Sequence, residues 1–200
     1  MSAITVARSE RATPSPSKGS IRIELASPED WRALTELEEA SFPGDRISPR
    51  SWRSFLASQS AVVTVVREGS PGIAGAAVVL QRARTSVARL YSIAIAHGAR
   101  GRGLSSALLE DATQRMRHAG TAVLRLETRV DNLAAQHLFA KCGFVQRGRK
   151  AAYYEDGADA LLCEKSLWNL HAAEHDAALD PATDRRGRHL QGVLIWLPIT

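Results

Sequence analysis

The chain contains no apolar run approaching the ~20 residues that a membrane-spanning helix needs, and its N-terminus has no apolar leader-like stretch. No membrane partner is expected, and a cytoplasmic setting is. Cysteine is scarce: Cys142 and Cys163 are the only two, far apart and without metal-ligand spacing. That pattern fits two buried, reduced thiols and excludes a disulfide framework. The net charge is +5, yet no run of five or six basic residues occurs, and aromatics are only 6%. A nucleic-acid surface needs a basic cluster or a stacking platform, so no nucleic acid is expected. A polyanionic cofactor or plain solubility accounts for the charge equally well. His97, His118 and His137 share no ligand spacing. His171 and His175 stand four apart without an evident third ligand, so no metal is expected.

Against these absences stand 200 residues with 44% apolar and 24% charged composition, enough for one domain with appendages. Residues 1–20, rich in Ser, Pro, Thr, Arg and Ala, read as a disordered tail. The folded domain is expected over 21–167. Ile21–Leu25 reads as a short strand. Ser27-Pro28-Glu29-Asp30 has a cap, a proline at the first helical position and acids in the first turn. Trp31, Leu34, Leu37 and Ser41 then share one helical face. Ser48-Pro49 repeats the start signal, and Trp52, Phe55 and Leu56 give the second helix its stripe. Ala61–Arg67 and Ile73–Arg82 are β-rich and joined by the hairpin-like Glu68 to Gly72. Ser86–Ala96 is a third strand. A helix over about Gly103–Ala119 stops at Gly120, and Ala122–Arg129 is the next strand. A helix over Leu133–Cys142 has Asp131 or Asn132 as cap and Gly143 as stop. Phe144–Arg149 and Ala160–Leu167 complete the set. The order suits an α+β fold, a mixed, mostly antiparallel sheet with helices on both faces. Residues 168–200 form a C-terminal extension of unassigned role, with helical character at Trp168–Leu179.

The densest chemistry lies between Leu90 and Ser106. An apolar strand meets the tight loop Arg100-Gly101-Arg102-Gly103, and the loop opens a helix. Such a turn aims backbone N–H groups and the positive end of a helix dipole at one spot, which suits an anion and above all a pyrophosphate. Gly101 and Gly103 permit close backbone approach. Leu104, Ser105 and Ser106 bring amides, the two serines add hydroxyls, and Arg100 and Arg102 can add charge.

Arg100-Gly101-Arg102-Gly103-Leu104-Ser105 resembles the Arg/Gln-x-x-Gly-x-Gly/Ala loop of the GNAT superfamily of acyl-CoA N-acyltransferases. Leu126-Glu127-Thr128-Arg129-Val130-Asp131-Asn132, followed by Leu138 to Phe144, is similar to its second signature. Phe42-Pro43, Tyr153-Tyr154 and Asp159-Ala160 add a resemblance to the ribosomal-protein-alanine N-terminal acetyltransferases. Asp45-Arg46-Ile47-Ser48 and the run from Tyr153 to Ala160 also resemble a bacterial subgroup whose members accompany papain-like peptidase modules. The likeness covers about Ile21 to Leu167.

The resemblance implies acetyl-CoA as co-substrate and a primary amine as acceptor, first a protein or peptide N-terminus. A small-molecule amine and a non-catalytic acyl-CoA-binding module are the alternatives. It implies that Ile93, Ala94 and Ile95 run beside the pantetheine arm on a strand splayed from its neighbour. A backbone N–H near Ile95 then faces the thioester oxyanion. It makes Glu127 the base that accepts the amine's proton, through water. Period-2 alternation puts Arg125 and Arg129 on the face of Glu127, where their charge would favour the carboxylate. Asn132 either reaches the cofactor, caps its helix, or does both. One departure stands out. The family group has a tyrosine after Leu138 as general acid, and this chain has Phe139. Losing a general acid costs on the order of 10²–10⁴ in rate. A thiol of pKa about 8.5 can nevertheless leave near neutral pH with water as donor. Tyr153 and Tyr154 are candidates to substitute for it, or to line the acceptor slot.

Overall fold

Small and β-branched residues on both faces of three successive segments make the centre of a sheet that is covered on both sides. The computed structural model describes residues 21–168 apart from 43, 45, 69–71 and 83. The expected N-terminal tail, the extension beyond Trp168 and the pair His171 and His175 lie outside the described residues. The elements are β1 (Arg22–Leu25), a 3₁₀ turn (Pro28–Asp30), α1 (Trp31–Ser41), α2 (Pro49–Leu56), β2 (Ala61–Arg67), β3 (Ile73–Gln81) and β4 (Val87–Ile95). A second 3₁₀ turn (His97–Ala99) leads to α3 (Leu104–His118), β5 (Val123–Arg129), α4 (Leu133–Lys141), β6 (Val145–Lys150) and β7 (Ala160–Ser166). The seven strands lie in the order β1-β2-β3-β4-β5-β7-β6. All neighbours are antiparallel except β4 and β5.

The start of α2 matches its local signal. Ser48 Oγ accepts the Ser51 N–H at 3.1 Å, with Pro49 in the first turn. The Ser27 signal opens a 3₁₀ turn rather than α1 itself, and the Ser27 N–H donates to Asp30 Oδ2 at 2.7 Å. Gly120 and Gly143 both adopt the left-handed conformation that ends a helix, with φ of +77° and +85°. Trp168 is tied to the domain by its Nε1–H, which donates to the Thr121 carbonyl at 2.9 Å.

Two apolar clusters sandwich the sheet. On one face Leu104, Leu108 and Met116 of α3 and Phe139 of α4 meet Leu90, Leu124 and Leu126. On the other, Leu34 and Leu37 of α1 and Trp52 of α2 meet Val63, Val65, Ala76, Val78 and Ala94. The face of α1 holds a carboxyl group that the apolar pattern does not announce. Glu38 is buried beside Leu34, Leu37 and Ser41, whereas Trp31 is only half-buried. Glu38 Oε1 accepts the Ile47 N–H at 3.0 Å and so closes the α1–α2 connection. Burial pushes its pKa up to about 8. Cys142 and Cys163 are free and half-buried against the α3 face, not fully buried as expected. Burial, aided by the charge of Glu127, raises the Cys163 thiol above its usual range.

Candidate functional site

The site begins where the only parallel pairing among the described residues ends. β4 and β5 pair over three positions, Val87↔Val123, Ala88↔Leu124 and Arg89↔Arg125. Two residues further along β4, Tyr91 is the extra residue of a bulge: Val79 lies opposite Leu90 and Val78 opposite Ser92. A bulge bends its strand and increases its twist. Beyond Arg89, β4 keeps its β3 partner as far as Ile95 but no longer pairs with β5. The two strands part into a wedge.

Which amides face the wedge follows from the register. The Ala96 N–H donates to the Ala74 carbonyl at 2.8 Å, so Ala96 and, by alternation, Ala94 point to β3. Ile95 and Ile93 therefore turn their N–H and C=O groups to the open side. Of the three expected strand residues, Ile93 and Ile95 face the wedge with their backbones, and Ala94 spends its own in the β3 ladder. The Ile95 carbonyl accepts the Arg100 Nε–H at 3.4 Å, which leaves its N–H as the group turned to the wedge.

The Arg/Gly loop lies at the end of β4. Gly101 and Gly103 both have positive φ, +73° and +77°, and a Cβ built on either would meet no atom within 4 Å. The loop is therefore open as well as left-handed, which fits close approach by a bulky anion. Gly103 is the N-cap of α3 and supplies no side-chain cap. The first intrahelical bond runs from the Ala107 N–H to the Gly103 carbonyl at 3.1 Å. The amides of Leu104, Ser105 and Ser106 precede it and have no intrahelical acceptor. The Leu104 side chain is buried in the core, and the two serines are half-buried. The arginines are not simply aimed outward. Arg100 Nη1 meets His97 Nδ1 at 3.0 Å, and Arg102 Nη1 pairs with Glu68 Oε2 at 2.6 Å. Asn132 caps α4: its Oδ1 accepts the Ala135 N–H at 3.0 Å. That settles the cap between Asp131 and Asn132.

Glu127 lies across the wedge. Its neighbours Leu126 and Leu124 enter the α3 cluster, so alternation sends Glu127 to the opposite face, where Tyr153 and Tyr154 lie. Arg125 and Arg129 share that face but spend their charge elsewhere. Arg125 Nε pairs with Glu164 Oε2 at 3.3 Å, and Arg129 pairs with Asp131 at 3.1 Å and Asp156 at 2.7 Å. The cation on Glu127 is Arg89, whose Nε donates to Glu127 Oε2 at 2.7 Å. Arg89 Nη2 also donates to the Tyr153 hydroxyl at 2.9 Å. Burial works against the Arg89 charge, but Glu127 and Tyr153 more than offset it and hold the guanidinium above its ordinary pKa. Sequence reasoning missed Arg89. The available signal was that it is the one charged residue in Val87–Ile95.

Tyr154 behaves differently from Tyr153. It is buried, its ring lies under the Arg129 guanidinium at 5.1 Å, and its hydroxyl has no hydrogen-bond partner among the described residues. Burial raises its pKa well above the usual phenol range, so it stays neutral. Phe139 is 1% exposed and stacks edge-on against Phe144, with centroids 5.8 Å apart.

Comparison with known proteins places this geometry. Residues 31–144 match the acetyltransferase (GNAT) family. The chain is 33% identical over 82 residues to N-alpha-acetyltransferase 30 of Schizosaccharomyces pombe, covering 41% of this chain and 55% of that protein. It thus spans about half the length of that relative. It is 29% identical over 137 residues to a Bacillus subtilis protein named for ribosomal protein bS18-alanine N-acetylation, covering 67% of this chain and 87% of that one. In fold it matches the ribosomal-protein-S18-alanine N-acetyltransferase from Escherichia coli with a TM-score of 0.68, at 23% identity, over 77% of this chain and 99% of that one. It matches a chain of the NatC complex bound to Gag peptide and CoA with a TM-score of 0.65, at 21% identity, over 73% and 98%.

Proposed function

The chain belongs to the GNAT family of acetyltransferases, and from that premise we propose that it moves an acetyl group from acetyl-CoA to the α-amine of a protein or peptide N-terminus, in the cytoplasm. The observation that carries this reading is the wedge. It brings the open amides of Ile93 and Ile95 and the carboxylate of Glu127 to the two sides of one opening in the sheet.

Acetyl-CoA supplies the acetyl group already activated as a thioester. The residues for holding it are present. The amides of Gly103 to Ser106, at the positive end of α3, suit its pyrophosphate, and the left-handed Gly101 and Gly103 leave room for it. Ile93 and Ile95 offer N–H groups along the parted edge of β4, where another strand would otherwise pair. Glu127 takes up the proton released by the attacking amine, through water where it does not reach directly. Transfer is direct, within a ternary complex, with no covalent enzyme intermediate. With Phe139 in the core, water protonates the departing thiolate, as a thiol pKa of about 8.5 permits.

Phe139 also supports a competing reading, a domain that binds acyl-CoA without turning it over. One experiment separates the possibilities. The protein is incubated with acetyl-CoA and a panel of N-terminal peptides and small amines, and acetylated products are detected by mass spectrometry alongside thiol release. Peptide acetylation that falls by about 10²-fold or more in Glu127→Gln supports the proposal. Acetylation of small amines alone replaces the acceptor class. Acetyl-CoA binding without thiol release from any member of the panel establishes the binder.

A further inference from the structure

We propose that Arg89 is a positioning residue for the transfer, holding the Glu127 carboxylate and the Tyr153 hydroxyl together at the point where β4 and β5 part. The proposal rests on the reading of Glu127 as proton acceptor.

The backbone cannot do this work. Arg89↔Arg125 is the last pair of the parallel ladder, so beyond it no backbone pairing fixes β5 to β4. Glu127 stands two residues past that limit. The Glu127 backbone is held to β7 on its far side, at Glu127↔Leu162, so the tie of its carboxylate to β4 has to come from a side chain. Arg89 supplies the tie from the last paired position. Its Nε reaches Glu127 at 2.7 Å and its Nη2 reaches Tyr153 at 2.9 Å, so one planar group spans β4, β5 and the β6–β7 connection. The guanidinium also lies 5.7 Å from the Tyr91 ring centroid, on the bulge residue itself. Arg89 and Glu127 are about equally sheltered, at 23% and 22% side-chain exposure, which limits screening of the pair.

The chemistry requires arginine. A guanidinium presents donors in a fixed fork, so satisfying Glu127 also sets the direction toward Tyr153. A lysine ammonium is a compact charge on a flexible stem, and its rotatable donors fix no direction between the two partners. Charge is therefore only part of the role, and geometry is the rest.

The test is steady-state kinetics with acetyl-CoA and the peptide turned over fastest in the panel above, with calorimetry of acetyl-CoA binding as a check on folding. Arg89→Met is expected to lower kcat by about 10- to 100-fold, the scale of a 1 Å misplacement, with acetyl-CoA affinity within about twofold of wild type. Arg89→Lys recovers part of the loss, and added guanidinium ion recovers part of it in Arg89→Ala. In the Glu127→Gln background, Arg89→Met changes kcat by less than about twofold, because the residue it positions is already gone. Should Arg89→Met misfold, Arg89→Lys carries the same comparison. An equal loss in both backgrounds, or no loss in a folded variant that binds acetyl-CoA, overturns the proposal for Arg89 alone. Full activity of Glu127→Gln overturns the proton-acceptor reading, and this inference with it.

Discussion

α3 and α4 begin in opposite ways on the same side of the same sheet. α4 starts at Asn132, whose side chain fills the first turn by accepting the Ala135 N–H. α3 starts at Gly103, which has no side chain to offer and a backbone folded into the left-handed region. Every helix start leaves amides without intrahelical acceptors. α4 answers that demand from within the chain, whereas α3 leaves it open, and on the proposed reading acetyl-CoA meets it. The two starts thus differ in kind, a side-chain cap at Asn132 and an uncapped turn at Gly103, although the resemblance assigns both motifs to the cofactor.

The largest test of this contrast is Gly103→Val. A β-branched residue at φ of +77° is strained, and its side chain enters the space left open for the ligand. Acetyl-CoA affinity is expected to fall by about 10- to 100-fold, because the free loop relaxes out of the left-handed conformation and regains it, at about 1–3 kcal/mol, only on binding, while circular dichroism remains native. Unchanged affinity in a folded variant breaks the contrast at α3.

Glu38 sets the pH range in which such assays compare the same fold. Its pKa is pushed from an ordinary 4.5 to about 8, so the folded state favours the neutral acid. The stabilisation is complete below the ordinary value and is lost as pH rises through the folded one. Wild type is expected to lose up to about 1.4 kcal/mol per pH unit across that window relative to Glu38→Gln. Urea melts of both proteins at pH 6, 7 and 8, values on the order of the window's upper half, measure it. Parallel curves would show that Glu38 is ionised in the fold.

Asn132→Ala is next in size. Loss of an N-cap costs about 1 kcal/mol of stability, while acetyl-CoA affinity changes by less than about threefold if the cap is the main role. A loss of affinity matching Gly103→Val would mean that Asn132 reaches the cofactor as well, and the contrast would fail at α4. The smallest effect is expected from Phe139→Tyr. An enzyme that already works with water as proton donor should keep its rate within a few-fold, in thiol release measured beside wild type. Release that appears only in the variant would mean that this chain has lost its general acid.

Most elements were legible because their signals are local. Ser48-Pro49, Gly120, Gly143 and the alternation in Val123–Arg129 act over a few residues, and each falls where the structure ends or begins an element. What was not legible depends on strand order. Alternation correctly puts Arg125 and Arg129 on the face of Glu127, but side-chain partners are chosen across strands. Because β7 lies on one side of β5, Arg125 meets Glu164. Because β4 lies on the other, Glu127 meets Arg89. The bulge at Tyr91 has no local mark either, since Leu90-Tyr91-Ser92 reads as ordinary strand. Glu38 follows Leu34 by four residues and so shares its face, but an apolar stripe of Trp31, Leu34, Leu37 and Ser41 gives no sign of a buried carboxyl.

The parting of β4 from β5 has a consequence for traffic. Where two strands part, the unpaired edge of β4 faces both sides of the sheet. The α3 loop stands on one, and Glu127 with Tyr153 on the other. On the proposed reading, a donor held beside α3 and an acceptor reaching Glu127 from the face of α1 and α2 would meet without sharing a doorway. On that reading neither would have to leave before the other arrives.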